Sequence, residues 1–117
     1  MLEVIQLHRE GSLEVRNMIE NHEKCGPHGI SVYGFVCDIW IKAKDRDQYG
    51  FVCDTVQLAE LFGKLFQPET PQPYVSCEEM AMLAVQAIKR RLVPKAKKIR
   101  VQISPMPDRW AAATKKW

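Results

Sequence analysis

A chain of 117 residues with 46% hydrophobic and 26% charged side chains has the size and make-up of one packed domain. That excludes a mainly disordered protein and a two-domain enzyme with a cleft between lobes, so any deep pocket is expected between subunits. The formal net charge is a mild +3, no stretch nears the roughly 18 apolar residues of a membrane span, and Met1-Leu2-Glu3-Val4-Ile5 lacks the basic and apolar parts of a signal peptide, so a cytoplasmic protein is expected.

Leu2 to His8 alternates weakly and predicts a strand. Arg9 to Pro27 is polar without a clean period, and Asn21 to Pro27 reads as a loop. Ile30 to Lys44 is rich in β-branched and aromatic residues. Phe35, Cys37, Ile39 and Ile41 fall on one face, with Asp38 and Lys42 on the other, which predicts a long half-buried strand. Asp45 to Gln48 makes a polar turn, and Tyr49 to Cys53 is expected to return as a short strand. Asp54 or Thr55 then caps a helix whose apolar stripe is Leu58, Leu61, Phe62, Leu65 and Phe66. Prolines at 68, 71 and 73 end it. Ser76-Cys77-Glu78-Glu79 has the form of a capping box, in which the serine accepts a free backbone N–H. The stripe Met80, Leu83, Ala84, Ala87 and Ile88 continues as a second helix, closed by Pro94. Lys98 to Ser104 alternates again, Pro105 and Pro107 turn the chain, and Arg109 to Lys115 supplies the last strand.

The four cysteines, Cys25, Cys37, Cys53 and Cys77, are scattered with no C-x-x-C pair, so they are read as thiols in a reducing compartment. Basic residues gather at Lys89 to Arg91, at Lys95 to Arg100 and at Lys115 and Lys116. They are read as a solvated helix end favoured by the helix dipole. No arginine-rich run or base-stacking motif accompanies them, so neither a membrane nor a nucleic acid is expected as a partner. The whole order predicts an α+β domain over residues 1–117. Its antiparallel four-stranded sheet carries two helices on one face, in ββααββ order. The uncovered face and the free edges then call for an oligomer.

Three segments carry a family resemblance. Tyr49-Gly50-Phe51-Val52-Cys53-Asp54-Thr55-Val56-Gln57-Leu58 resembles the "G-hydrophobic-V-x-D-F-x-x-L" segment of the 6-pyruvoyl- and 6-carboxytetrahydropterin synthases. His22-Glu23-Lys24-Cys25-Gly26-Pro27-His28-Gly29 resembles their "K-C-x-x-x-H-G-H", and Ser76 to Ala81 resembles their "P-T-A-E-N-L-A". These span most of the chain from about residue 22 to 110 in the family's order. The resemblance implies the tunnelling fold, a homo-oligomer with sites at subunit interfaces, and lyase chemistry on dihydroneopterin triphosphate or a related pterin. It also implies a zinc ion held by three histidines as a Lewis acid, a cysteine general base, and a glutamate that takes the 2-amino-pyrimidinone edge of the ring.

Cys25 matches the catalytic cysteine and His28 the first histidine of the pair. The second falls at Ile30 and the upstream histidine near Val15, so one of the three zinc ligands is matched. The "L-D-H-x-x-L-N" segment is absent, and Gln102 to Pro107, where the anchoring glutamate belongs, holds no carboxylate. Glu78 offers another anchor. Cys77-Glu78-Glu79-Met80-Ala81 resembles the "L-I-E-x-L-A" segment of the dihydroneopterin aldolases, another tunnelling-fold family, whose glutamate holds the pterin. The lysine expected later in that family is replaced by Pro105. Three readings follow. The first is a divergent lyase using Cys25 and His28. The second is an inactive protein that binds a pterin or purine-like ring through Glu78 and the backbone near Ser76 and Cys77. The third is an assembly subunit in which Trp40, Trp110 and Trp117 serve as interface anchors.

Overall fold

Side chains alternate across a strand, and that period of two sorts this sheet. In β2 (Gly29–Lys42) the residues Tyr33, Phe35, Cys37, Ile39 and Ile41 are buried on one side. Ile99, Val101 and Ile103 of β3 (Lys98–Met106) join them. The computed structural model describes residues 3–17, 29–66 and 76–117. Its sheet is antiparallel, with strands in chain order from β1 (Val4–Asn17) to β4 (Arg109–Lys116). Helices α1 (Thr55–Phe66) and α2 (Cys77–Arg91) cover the apolar side. The predicted fold class and element order are therefore those observed. Among the described residues no helix is long and apolar enough to cross a membrane.

The first strand is longer than its sequence pattern predicts. It pairs with β2 residue by residue from Val4↔Lys42 to Asn17↔Gly29. Leu13 and Val15 continue the buried side. Gly11 lies against the ring of Phe35, where an added Cβ would stand 2.9 Å from a ring carbon. The expected strand at Tyr49 to Cys53 is instead a turn. The Asp47 carboxylate accepts the N–H groups of Tyr49 and Phe51, each at 2.9 Å. Gly50 adopts φ +83°, a conformation that glycine tolerates without strain.

At the start of α1, Asp54 Oδ1 accepts the Val56 N–H at 2.8 Å, the N-cap role expected of it. The helix buries Leu58, Leu61, Phe62 and Phe66. Ser76 Oγ accepts the Glu79 N–H at 3.1 Å and caps α2. Met80, Ala81, Ala84, Val85, Ala87 and Ile88 form its buried side, and small alanines let the helix lie close to β3 and β4. Leu83, expected in that stripe from its spacing, lies outside it and is exposed with Met82. The helix ends at Arg91, with the N–H groups of Leu92 and Val93 both donated to the Ile88 carbonyl. Pro94 therefore follows the end rather than making it. Pro105 stays within β3 beside a register shift between Ile103 and Met106, where a residue lacking an N–H is tolerated. None of the tryptophans reaches the core, since Trp40 is half-buried while Trp110 and Trp117 are exposed.

The Phe62 ring is buried 4.7 Å from that of Phe35 and 6.2 Å from that of Phe66. Phe62→Ala should cost about 3–5 kcal/mol in denaturant unfolding. Val32→Ala, on an exposed strand position, should stay within about 0.5 kcal/mol.

Candidate functional site

The start of α2 brings three expected residues together. Ser76 is occupied as the cap, Cys77 is half-buried, and Glu78 stands exposed in the first turn. Glu78 makes no hydrogen bond or ion pair with the described residues. Its carboxylate sits where the helix dipole favours a negative charge, with its lone pairs open to a ligand.

A second feature lies at the other end of that helix. The Asp47 turn, the start of α1 and Leu92 line a hollow of about 560 Å³, with Tyr49, Phe51, Cys53, Asp54 and Gln57 on its walls. Tyr49 and Phe51 are well exposed, their rings 6.3 Å apart. The hollow therefore offers flat apolar surface beside polar groups, the make-up of a small-molecule site. With 15 residues in α2 and a rise of 1.5 Å each, Glu78 and the hollow lie about 20 Å apart. One copy of the chain cannot bring both to one ligand.

The sheet face turned away from the helices holds a third arrangement, not assigned from sequence. Asp38 on β2 is the only buried charged side chain among the described residues. Its Oδ1 accepts from Gln6 Nε2 at 2.9 Å and lies 2.6 Å from His8 Nδ1, and His8 Nε2 lies 2.9 Å from Glu10 Oε2. Two carboxylates on the two ring nitrogens require both to donate, so the imidazolium fits this geometry. The hydrogen bond to Glu10, and then that to Asp38, accordingly raise the His8 pKa above its ordinary 6.5.

The described cysteines are thiols rather than disulfides. Burial pushes the Cys37 thiol up to about 12 and the Cys53 thiol up to about 11, so neither is a thiolate nucleophile at neutral pH. Cys25 and His28, the expected base and metal ligand, lie outside the described residues, as does His22. The zinc set implied by the resemblance does not fit the rest. Val15 is buried in the core, Ile30 is apolar, and both nitrogens of His8 are engaged. Among the described residues no group of three His, Cys, Asp or Glu could hold a metal.

These elements define the class of the chain by its fold, which is the tunnelling fold. No family model and no curated protein matches it. A candidate dihydroneopterin aldolase of Vibrio cholerae superposes with TM-score 0.68 at 9% identity, covering 100% of this chain and 99% of that one. The 6-pyruvoyl tetrahydropterin synthase of Plasmodium vivax superposes with TM-score 0.58 at 10% identity, covering 98% and 99%. An archaeosine synthase of the QueF-like type gives 0.51 at 12%, covering 97% and 92%. At such identities the likeness is one of fold.

The raised pKa of His8 sets a pH dependence. A pKa higher in the folded than in the unfolded state adds stability that is fully present below the unfolded value and is lost as pH rises through the folded one. Urea midpoints should therefore fall as pH is raised from about 6.5 through the His8 titration, and His8→Gln should flatten that slope. An equal slope in the variant would assign the dependence to another group.

Proposed function

We propose that the chain is a subunit of a homo-oligomer that binds a pterin or purine-like ring at an interface between copies. In this reading the Glu78 carboxylate of one copy accepts the two parallel hydrogen bonds of a 2-amino-pyrimidinone edge. The backbone near Ser76 and Cys77 borders the same edge, and the Tyr49–Phe51 hollow of a neighbouring copy supplies the wall. The separation of these two halves by the length of α2 carries the reading, because each is incomplete alone. Exposed Val56 beside the hollow adds apolar surface suited to burial between subunits. The likeness in fold to the Vibrio cholerae protein supports an aldolase-like use of Glu78.

Any proton transfer at the ring's side chain would fall to Cys25 by its resemblance to the synthase cysteine. The lyase reading further needs a metal at His28, and the residues at the two other ligand positions do not supply one. The assembly-subunit reading needs no ligand.

Thermal melting with neopterin or guanine separates these readings. Ring binding should raise stability by about 2.7 kcal/mol when ligand is at a hundred times its dissociation constant. Glu78→Gln should lose that gain, because its amide turns a donor toward the donors of the ring, while its stability without ligand stays within about 1 kcal/mol of the parent through the lost helix-dipole charge. No stabilisation of the parent by either compound would overturn the proposal and leave the assembly role. Stoichiometric zinc in protein purified without chelator would move the lyase reading to the front.

A further inference from the structure

The hollow beside the start of α1 has a charge as well as a shape. Asp47 and Asp54 both stand in its wall, and no Lys, Arg or His does among the described residues. Each carboxylate gives one oxygen to the backbone. Asp47 Oδ1 accepts the N–H groups of Tyr49 and Phe51, and Asp54 Oδ1 accepts that of Val56. The second oxygen of each makes no hydrogen bond or ion pair with the described residues. After burial, the charges of Asp54 and Asp47 are what raise the Cys53 thiol, so their field is felt within the hollow. The positive end of α1 opposes that field and is capped by Asp54 itself. Leu92, at the C-terminal end of α2, adds the helix end that favours a cation.

Two aromatic rings share that wall. Tyr49 is 73% and Phe51 56% exposed, and their rings are tilted by 38° to one another. The cation–aromatic contacts of the described residues fall on Trp40, Trp110 and Trp117, so no cation of the chain claims either ring. An aromatic face attracts a cation through its quadrupole, and more strongly where water is excluded. Basic side chains are near but set apart. Lys64 and Arg91 line a neighbouring hollow of about 290 Å³, which shares Gln57 and Leu92 with this one. A neutral ring would use the aromatic surface and leave both carboxylates without a counter-charge. A metal ion would use the carboxylates and leave the rings idle. A flat ring with a fixed positive charge uses both.

We propose that the ring taken at this hollow is a cationic purine, such as an N7-alkylated guanine, with its charged side against Tyr49, Phe51 and the carboxylates of Asp47 and Asp54. The inference rests on the ring-binding reading and narrows its ligand class. In such a base the positive charge lies on the imidazole side, so the 2-amino-pyrimidinone edge opposite stays free for Glu78 of the other copy.

The test is isothermal titration of the full chain with N7-methylguanosine and with guanosine, which differ by a methyl group and a charge. Mildly acidic buffer keeps the N1–H of the methylated base in place for Glu78. The methylated nucleoside should bind about ten-fold tighter at low salt, and added salt should shrink that advantage. Asp47→Asn with Asp54→Asn keeps an acceptor oxygen for the turn and for the helix cap while removing both charges. It should cut the advantage to about three-fold or less, and Tyr49→Leu should do the same through the lost ring face. Melting curves check that each variant folds, and Tyr49→Leu, at a well-exposed position, serves alone if the double variant does not. Guanosine bound as tightly as its methylated form, or more tightly, would overturn this inference and leave the ring-binding reading standing. Binding of neither nucleoside would overturn both. A full advantage kept by either folded variant would place the preference outside the hollow and overturn the inference as well.

Discussion

Phe35 ties the sheet to its helices, and its position depends on a side chain that is missing. Its ring lies over Gly11 on the neighbouring strand and against Phe62 of α1. A Cβ at residue 11 would stand 2.9 Å from that ring, so the ring or its neighbours would have to shift. Interiors are packed closely enough that such a shift is transmitted. The consequence reaches the surface through α1. Asp54 and Gln57, at the start of that helix, form part of the hollow's wall, and the side chains of α1 pack into the same core as those of α2. The seat of one ring therefore bears on where α1, and the side of the hollow that it supplies, stands against the sheet.

The same contact explains which parts of the fold are legible from sequence. Period two identifies β2 and β3, and the helical stripes identify α1 and α2, because in each the buried side is apolar on its own strand or helix. The middle of β1 breaks that rule. Its inward positions include Arg9 and Gly11, opposite Cys37 and Phe35, so the apolar volume there comes from the partner strand. A pattern read along one strand loses its signal where its neighbour fills the space. The Tyr49–Cys53 segment fails differently. Its residues favour a strand, but Asp47 takes two of their N–H groups and Gly50 turns the chain, so the segment never joins a ladder.

At the candidate site, local chemistry is legible and distant pairing is not. The Ser76 cap follows from a four-residue pattern, and the exposure of Glu78 follows from its place in the first turn. The Asp38–His8 contact joins residues 30 apart, and nothing in either segment announces it before the register His8↔Asp38 is known. Once the register is known, the parity of the numbers suffices, since even positions of β1 and β2 share the open face. The motif around Cys25 and His28 is the opposite case. It carries part of the family resemblance, yet Cys25 and His28 belong to residues that the structure does not describe.

That open face also changes the argument for assembly. An uncovered apolar face would itself demand a partner, but this one carries Gln6, His8, Arg100, Gln102 and Thr114 and is compatible with water. The pressure toward association lies at the margins. Among the described residues β1 pairs only with β2, β4 pairs only with β3, and residues 29–33 of β2 have no partner on β3. Their outer backbone N–H and C=O groups are templates for another strand. The two outer strands are different and lie on opposite sides of the sheet, so joining one copy's β1 to another's β4 is a head-to-tail contact that closes into a ring when the rotation permits. In the proposed assembly, the separation of Glu78 from the hollow by the length of α2 is what makes the site a property of the pair.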